Sequence, residues 1–257
     1  MFKTGLVSVS FRPLTCEKIV KIAAEAGLDA IEWGGDVHVP PGDTARAERV
    51  ARLTQAAGLS VSSYGSYYRA GAYGEDYLPA FLPVLAAAEA LGVPVIRIWA
   101  GTKGSASVGA AERARLTEEI RTITRTAAAK KIRVAFECHN DTLTDDYRSS
   151  VRLMEEIGEI NAKMYWQPNQ RRDTAYNLEA LRAIVPYLEN VHVFHWPGPD
   201  VHLPLADGVG EWRRYFSLIA EAGKDPVCML EFMPDDDPAS LPREAAALKN
   251  ILGDTGR

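Results

Sequence analysis

Four times along this chain a run of helical periodicity ends in Ala-Gly or Leu-Gly and gives way to a β-rich run: AEAGLDAIEW from Ala24, QAAGLSVSSY from Gln55, EALGVPVIRIW from Glu89 and AEAGKDPVCMLEF from Ala220. Gly27, Gly58, Gly92 and Gly223 therefore stand where a helix ends in a left-handed residue before a short loop into a strand. A junction repeated in this way organises the rest of the chain. Periodicity predicts strands over residues 4–10, 30–33, 60–64, 95–100, 133–137, 163–167, 191–195 and 227–232. Between and after them it predicts amphipathic helices over residues 15–26, 44–57, 77–91, 110–130, 146–157, 177–185, 210–222 and 238–252. Eight strands in strict alternation with eight helices is the arithmetic of an α/β fold of one kind, a single (β/α)8 TIM barrel with its site at the C-terminal strand ends. A length of 257 residues suits one such barrel. No low-complexity linker divides it, so residues 1–257 are read as one domain.

The competing α/β architecture, a doubly wound nucleotide-binding sheet, needs a glycine-rich turn after its first strand. Here SFRPLT (Ser10 to Thr15) follows instead, without a glycine. The run AGTKGSASVG from Ala100 fits neither phosphate-binding pattern and reads as a βα loop over the barrel mouth. With 29 Lys+Arg against 34 Asp+Glu and no basic block, the chain lacks the electrostatic footprint of a nucleic-acid binder. Its most apolar stretch, residues 81–99, is broken by Pro83, Glu89, Pro94 and Arg97, so no membrane span is expected. The first residues run into a strand without a secretory apolar region, which reads as a cytoplasmic protein. Cys16, Cys138 and Cys228 are widely spaced and read as reduced, buried thiols.

Side chains at the C-terminal ends of barrel strands point into the mouth. Strand five closes as VAFECHND, with Glu137, His139, Asn140 and Asp141; strand six as MYWQPNQ, with Gln167 and Gln170. Strand seven closes as NVHVFHW, with His192 and His195, and strand eight as CMLEFMP, with Glu231. Two carboxylates, an imidazole and a carboxamide converging from consecutive strands form an oxygen and nitrogen donor set for a divalent metal: Mn²⁺, Mg²⁺, Co²⁺ or Zn²⁺. Residues three apart on a regular strand face opposite ways, so one of His192 and His195 joins this set, and the strand register decides which.

Trp33, Tyr64, Tyr67, Tyr68, Trp99, Trp166 and Trp196 crowd the same rim. Sugar C–H faces pack on such rings, which makes Trp33, Tyr64, Trp99 and Trp196 candidates for substrate contact, with core filling as their other role. His38 and His139, near the ends of strands two and five, are further candidates, His38 with a surface-loop role as the alternative. Arg97 is a charge inside a barrel strand and calls for a partner, Glu32 or Glu137. Arg171 and Arg172 read as solvated loop residues.

The junctions, the set Glu137/Gln167/His192/Glu231 and the segment DVHLPLADGVGEW from Asp200 resemble the xylose isomerase-like TIM-barrel superfamily. That group holds sugar and sugar-phosphate isomerases and epimerases, inosose dehydratases and endonuclease IV-type repair enzymes. The resemblance implies a divalent metal on four side chains from strands five to eight. Glu137 and Glu231 match the two glutamates, and His192 the histidine, HVFH standing where relatives carry H-x-x-D. Gln167 replaces the usual Asp; an uncharged carboxamide oxygen is a weaker ligand, so affinity falls or the preferred metal changes. Gln170 occupies a place where relatives often have a His touching substrate oxygens. The D-x-H of Asp200 and His202 is similar to a stretch that supplies extra zinc ligands in the repair enzymes. Without a full set, these two are read as loop residues near the mouth.

The implied chemistry is isomerisation or epimerisation of a small ketose, polyol-derived ketone or sugar phosphate through an enediolate, with Glu137 and Glu231 as acid–base groups as well as ligands. His195, Trp196 and His202 join the expected substrate-facing residues. A dehydratase or lyase on a similar substrate, and a non-catalytic sugar-binding barrel, stay open as alternatives. The expected partner is a small carbohydrate, and relatives frequently form homo-oligomers.

Overall fold

The computed structural model describes residues 2–198 and 201–254. Eight strands close a barrel: β1 (Lys3–Val7), β2 (Ala30–Gly34), β3 (Ser60–Arg69), β4 (Val95–Trp99), β5 (Arg133–Glu137), β6 (Ala162–Trp166), β7 (Leu188–Val193) and, after a two-stranded hairpin of β8 (His195–Gly198) and β9 (Val201–Leu203), β10 (Val227–Leu230). Every barrel pair is parallel, and the ring closes where Lys3 of β1 lies beside Val227 of β10. The helices α1 (Cys16–Glu25), α2 (Thr44–Ala56), α3 (Tyr77–Leu91), α4 (Ala110–Ala128), α5 (Tyr147–Ile157), α6 (Thr174–Ile184), α7 (Val209–Glu221) and α8 (Leu241–Asp254) follow the barrel strands in turn. The expected (β/α)8 barrel is thus the observed one. None of the described helices is long and apolar enough to cross a membrane.

Local chemistry explains the boundaries. Gly27, Gly58, Gly92 and Gly223 all take positive φ, at 66°, 78°, 68° and 67°, ending their helices as the repeated junction requires. Asp146 and Asp173 cap α5 and α6 by accepting the backbone N–H of Arg148 and Tyr176. That cap starts α6 at Thr174, three residues earlier than periodicity places it. Strand β3 runs on to Arg69, past the expected end at residue 64, with its ladder shifted near Tyr67, whose φ is 61°. Strand β7 ends at Val193, so His195 belongs to the antiparallel hairpin and not to the barrel.

Two apolar layers fill the molecule. The larger lies between sheet and helices; the smaller, of Val7, Val9, Val95, Ala135, Tyr165 and Met229, fills the barrel interior. Strand side chains alternate, so two residues beyond four of these stand Arg97, Glu137, Gln167 and Glu231. The apolar plug is therefore the floor on which the polar groups at the mouth are raised.

Candidate active site

Above that floor, four side chains from β5, β6, β7 and β10 or the residue just past them meet. Nδ1 of His192 lies 3.0 Å from Oε1 of Gln167, 3.3 Å from Oε2 of Glu231 and 3.7 Å from Oε1 of Glu137. Its Nε2 points the other way, 3.6 Å from Oε1 of Glu32, and makes no hydrogen bond among the described residues. Arg97 threads between the acids. It donates from Nε to Glu32 at 2.8 Å and from Nη1 to Glu137, while Trp99 Nε1 donates to the same Glu137 oxygen at 2.7 Å. Ser63 donates to the second oxygen of Glu32 at 2.8 Å. A Cβ on Gly65 would sit 2.7 Å from Arg97 Nη2 and 2.8 Å from Glu32 Oε1, so glycine there makes room for the ion pair.

Burial and charge oppose each other throughout this cluster. Desolvation pushes the Glu32 carboxyl up, but Arg97, then His192 and Ser63, outweigh it and hold it at about 2. Glu137 is likewise raised by burial and lowered further by Arg97 and His192, to well below the ordinary carboxylate range. Burial works against the charged form of His192, yet Glu231, Glu137 and Glu32 carry its imidazolium well above the ordinary histidine value. Behind Glu137, burial and the neighbouring carboxylate push the Cys138 thiol up to about 12, which leaves it in the unreactive protonated form.

The donor set suits a divalent cation. The ligand atoms of Glu137, His192 and Glu231 lie within 4.8 Å of one another in a buried space, and the Gln167 amide oxygen adds a fourth. A carboxylate facing the far nitrogen of a metal-bound histidine is the arrangement that orients such ligands, and Glu32 stands there. Charge agrees: three carboxylates, Glu32, Glu137 and Glu231, against the one cation Arg97 leave an excess of two negative charges, which one divalent ion with neutral His192 cancels.

These groups border a cavity of about 360 Å³ that opens at the mouth, walled by Tyr67, Trp99, Trp196 and Phe232, with His139, Asn140 and Gln170 on its polar side. Of the residues expected to face substrate, Trp99, His139, Gln170 and Trp196 border it. Trp33, Tyr64 and His38 do not. Glu32 faces inward on β2, so Trp33 must face outward, where its Nε1 donates to Thr54 of α2 at 3.1 Å. Ser63 faces inward on β3, so Tyr64 faces outward and donates to the carbonyl of Val39 at 2.7 Å. His38 is buried between the hydroxyl of Ser8, 3.0 Å away, and the carbonyl of Leu14, 3.2 Å away. At strand seven His192 faces the cluster, and His195 borders a neighbouring cavity instead. His202 lies outside the central cavity, stacked on Trp196 at 4.6 Å and 3.4 Å from Asp236. Asp200 lies outside the described residues.

Arg12 is the mouth residue that sequence reasoning missed. It follows β1, pairs with Asp36 at 2.7 Å, hydrogen-bonds the Tyr67 hydroxyl and lies over the rings of Tyr67 and Phe232 at 5.7 and 5.5 Å. Applying the strand-end rule to the first strand as well as the last four would have found it. Both flanking rings belong to residues with positive φ, 61° at Tyr67 and 42° at Phe232, a strained backbone for aromatic side chains. Ser10 accepts the Phe232 N–H at 2.9 Å and so pins the turn that carries Glu231.

The sequence profile of the family described as xylose isomerase-like TIM barrel matches residues 20–251. Comparison with the sequences of curated proteins gives no match. Among solved structures, the probable 3-DHS dehydratase AsbF of Bacillus anthracis superposes with a TM-score of 0.82 at 21% identity, over 97% of this chain and 99% of that one. An L-ribulose 3-epimerase gives 0.76 at 16%, over 100% and 96% of the two chains. A xylose isomerase-like TIM-barrel protein from Mycobacterium smegmatis, in complex with magnesium, gives 0.75 at 16%, over 99% and 98%. At these identities the structural likeness speaks for the fold, and the profile match speaks for descent: the chain belongs to the xylose isomerase-like TIM-barrel family.

Proposed function

We propose that this chain is a divalent-metal-dependent enzyme that moves a proton on the carbon beside a carbonyl of a small polyhydroxylated ketone, as an isomerase or epimerase. The observation that carries the reading is the convergence of Glu137, Gln167, His192 and Glu231 on one buried point beneath an aromatic-walled cavity. Those four residues would hold the cation, which when bound supplies Lewis-acid polarisation of a substrate oxygen. Glu137 has one oxygen engaged by Arg97 and Trp99, which keep it ionised, so it serves as a fixed anion. Glu231, whose neighbour is Nδ1 of His192 at 3.3 Å, borders the cavity and is the group that takes the proton and, in an isomerisation, returns it to the neighbouring carbon. Trp99 offers ring surface to the C–H faces of the substrate, while His139, Asn140 and Gln170 face its hydroxyls.

The lock on Glu137 favours a second reading. Epimerisation through two bases needs a proton carrier on each face of the substrate, whereas one carboxylate suffices to remove a proton and assist loss of a β-hydroxyl. The similar solved structures bear titles of both classes, a dehydratase and an epimerase. Incubation with Mn²⁺ and a panel of ketoses, sugar phosphates and keto-polyols in D₂O separates them. An isomer carrying solvent deuterium marks the first chemistry, and a product lighter by one water marks the second. Glu231→Gln is expected to lower either rate by about 10²- to 10⁴-fold; full turnover by that variant would remove the base assigned here.

A further inference from the structure

Among the described residues, three tyrosines border the central cavity: Tyr67, Tyr147 and Tyr176. Two of them have committed their hydroxyl protons. Tyr147 donates to Glu179, and Tyr176 donates to Asp146 at 3.0 Å. Tyr67 differs. Its hydroxyl accepts a hydrogen bond from Arg12 Nη2 and donates none among the described residues, so its proton is free to pass into the cavity that it borders.

The phenol is held in place from several directions. Its ring stands edge-on to Trp99, with centroids 5.0 Å apart and planes at 86°, and the guanidinium groups of Arg12 and Arg97 lie 5.7 and 5.8 Å from its centroid. Arg12 is fixed in turn by Asp36 at 2.7 Å and by the Val9 carbonyl at 3.2 Å. The backbone at Tyr67 takes its φ of 61° where β3 departs from its ladder with β4, a conformation that a tyrosine keeps only under constraint from its surroundings. Two cations beside one phenol favour the negative charge that its oxygen carries after losing a proton. Burial nonetheless pushes the hydroxyl up to about 12 against the pull of Arg97, so Tyr67 meets its substrate protonated. Around the barrel, β3 and β10 are separated by β2 and β1, so Tyr67 and Glu231 come to the cavity from different sides.

We infer that Tyr67 is a second catalytic residue, which carries a proton between the two oxygens of the reacting carbons while Glu231 carries one between the carbons themselves. The inference rests on the isomerisation proposed above. Glu231 removes the proton from the carbon beside the carbonyl, the electron pair of that C–H bond becomes the carbon–carbon double bond, and the carbonyl oxygen takes the Tyr67 proton. The other oxygen of the resulting enediol then gives its proton to the Tyr67 phenolate as Glu231 returns its own to the neighbouring carbon. Both groups end as they began, and no co-reactant is consumed. Arg12 is the positioning residue of the pair, because its hydrogen bond to the phenol oxygen strengthens as that oxygen becomes an anion. Separate carriers for carbon and oxygen also agree with the lock on Glu137, since neither step asks a proton transfer of that carboxylate.

The test compares Mn²⁺-loaded wild-type protein, Tyr67→Phe, Arg12→Gln and the double variant on the panel of ketoses, sugar phosphates and keto-polyols in D₂O. Tyr67→Phe keeps the ring and removes the hydroxyl. It is expected to lower kcat for isomer formation about 10²- to 10⁴-fold, with KM, Mn²⁺ affinity and melting temperature at their wild-type values. Arg12→Gln should lower kcat about tenfold in the wild-type background and no further in the Tyr67→Phe background, because it acts through the phenol. Isomer formation by Tyr67→Phe at the wild-type kcat overturns the relay and leaves the isomerase reading standing. So does a loss of kcat matched by losses of Mn²⁺ affinity and melting temperature, which marks a structural role. Should Tyr67→Phe fail to fold, Arg12→Gln decides: a lowered kcat at unchanged KM supports the relay, and a full kcat overturns it. A wild-type protein that forms no isomer, whether it releases water or leaves every compound unchanged, overturns the isomerase reading and the relay with it.

Discussion

Glu32 lies beneath the central cavity, fully buried, and touches Arg97, His192 and Ser63. Its carboxyl is held at about 2, below its unfolded value, so it adds stability that is complete above pH 4.5 and is lost as pH falls through about 2. Urea unfolding from pH 5 downward should show stability dropping by up to about 3 kcal/mol on this account. Glu32→Gln should remove that slope and leave the buried Arg97 short of a partner, lowering stability even at pH 7. The carboxamide at Gln167 has its own consequence, because ligand charge sets affinity for hard cations. Gln167→Asp is expected to tighten Mn²⁺ binding about tenfold or more by calorimetry. Residue by residue, the sequence disclosed which polar groups end strands, since that follows from element boundaries. It did not disclose which aromatic residues face inward, because Trp33 and Tyr64 are placed by a parity that only the inward neighbours Glu32 and Ser63 reveal.

At the scale of elements, β3 is the strand most shaped by its neighbours. Gly65 stands where a Cβ would press on Arg97 and Glu32, so Gly65→Ala must displace a buried ion pair that also fixes Glu137. The expected result is a loss of about 1 to 3 kcal/mol in urea unfolding, with weaker Mn²⁺ binding by the same variant. Most elements were legible because their signals are local: an Ala-Gly or Leu-Gly ending each of four helices, and Asp at two N-caps. The β8 and β9 hairpin was not. Its strands span four and three residues and contain Pro197, and so short a run carries no period of two. It takes His195 away from the cluster of Glu137, His192 and Glu231 and places it beside the neighbouring cavity.

The whole molecule responds to its ligands through linkage. The cluster of Glu137, His192 and Glu231 gathers groups from β5, β7 and the end of β10, so a cation held there binds only the folded barrel. At a free Mn²⁺ concentration a hundred times its dissociation constant, stability should rise by about 2.7 kcal/mol. For a chain of this size that corresponds to a rise in melting temperature of roughly 5 to 10 °C, reversed by chelator and absent in His192→Ala. The barrel's closing pair has a further consequence, for how the protein is made. β1 emerges first from the ribosome and waits for β10, more than two hundred residues later, before the ring can shut. Glu231, carried just beyond β10, is the last of the cluster to be synthesised. A nascent chain stalled before that strand has neither a closed ring nor the complete cluster, so any cation the cluster holds would be captured only by chains translated past Glu231.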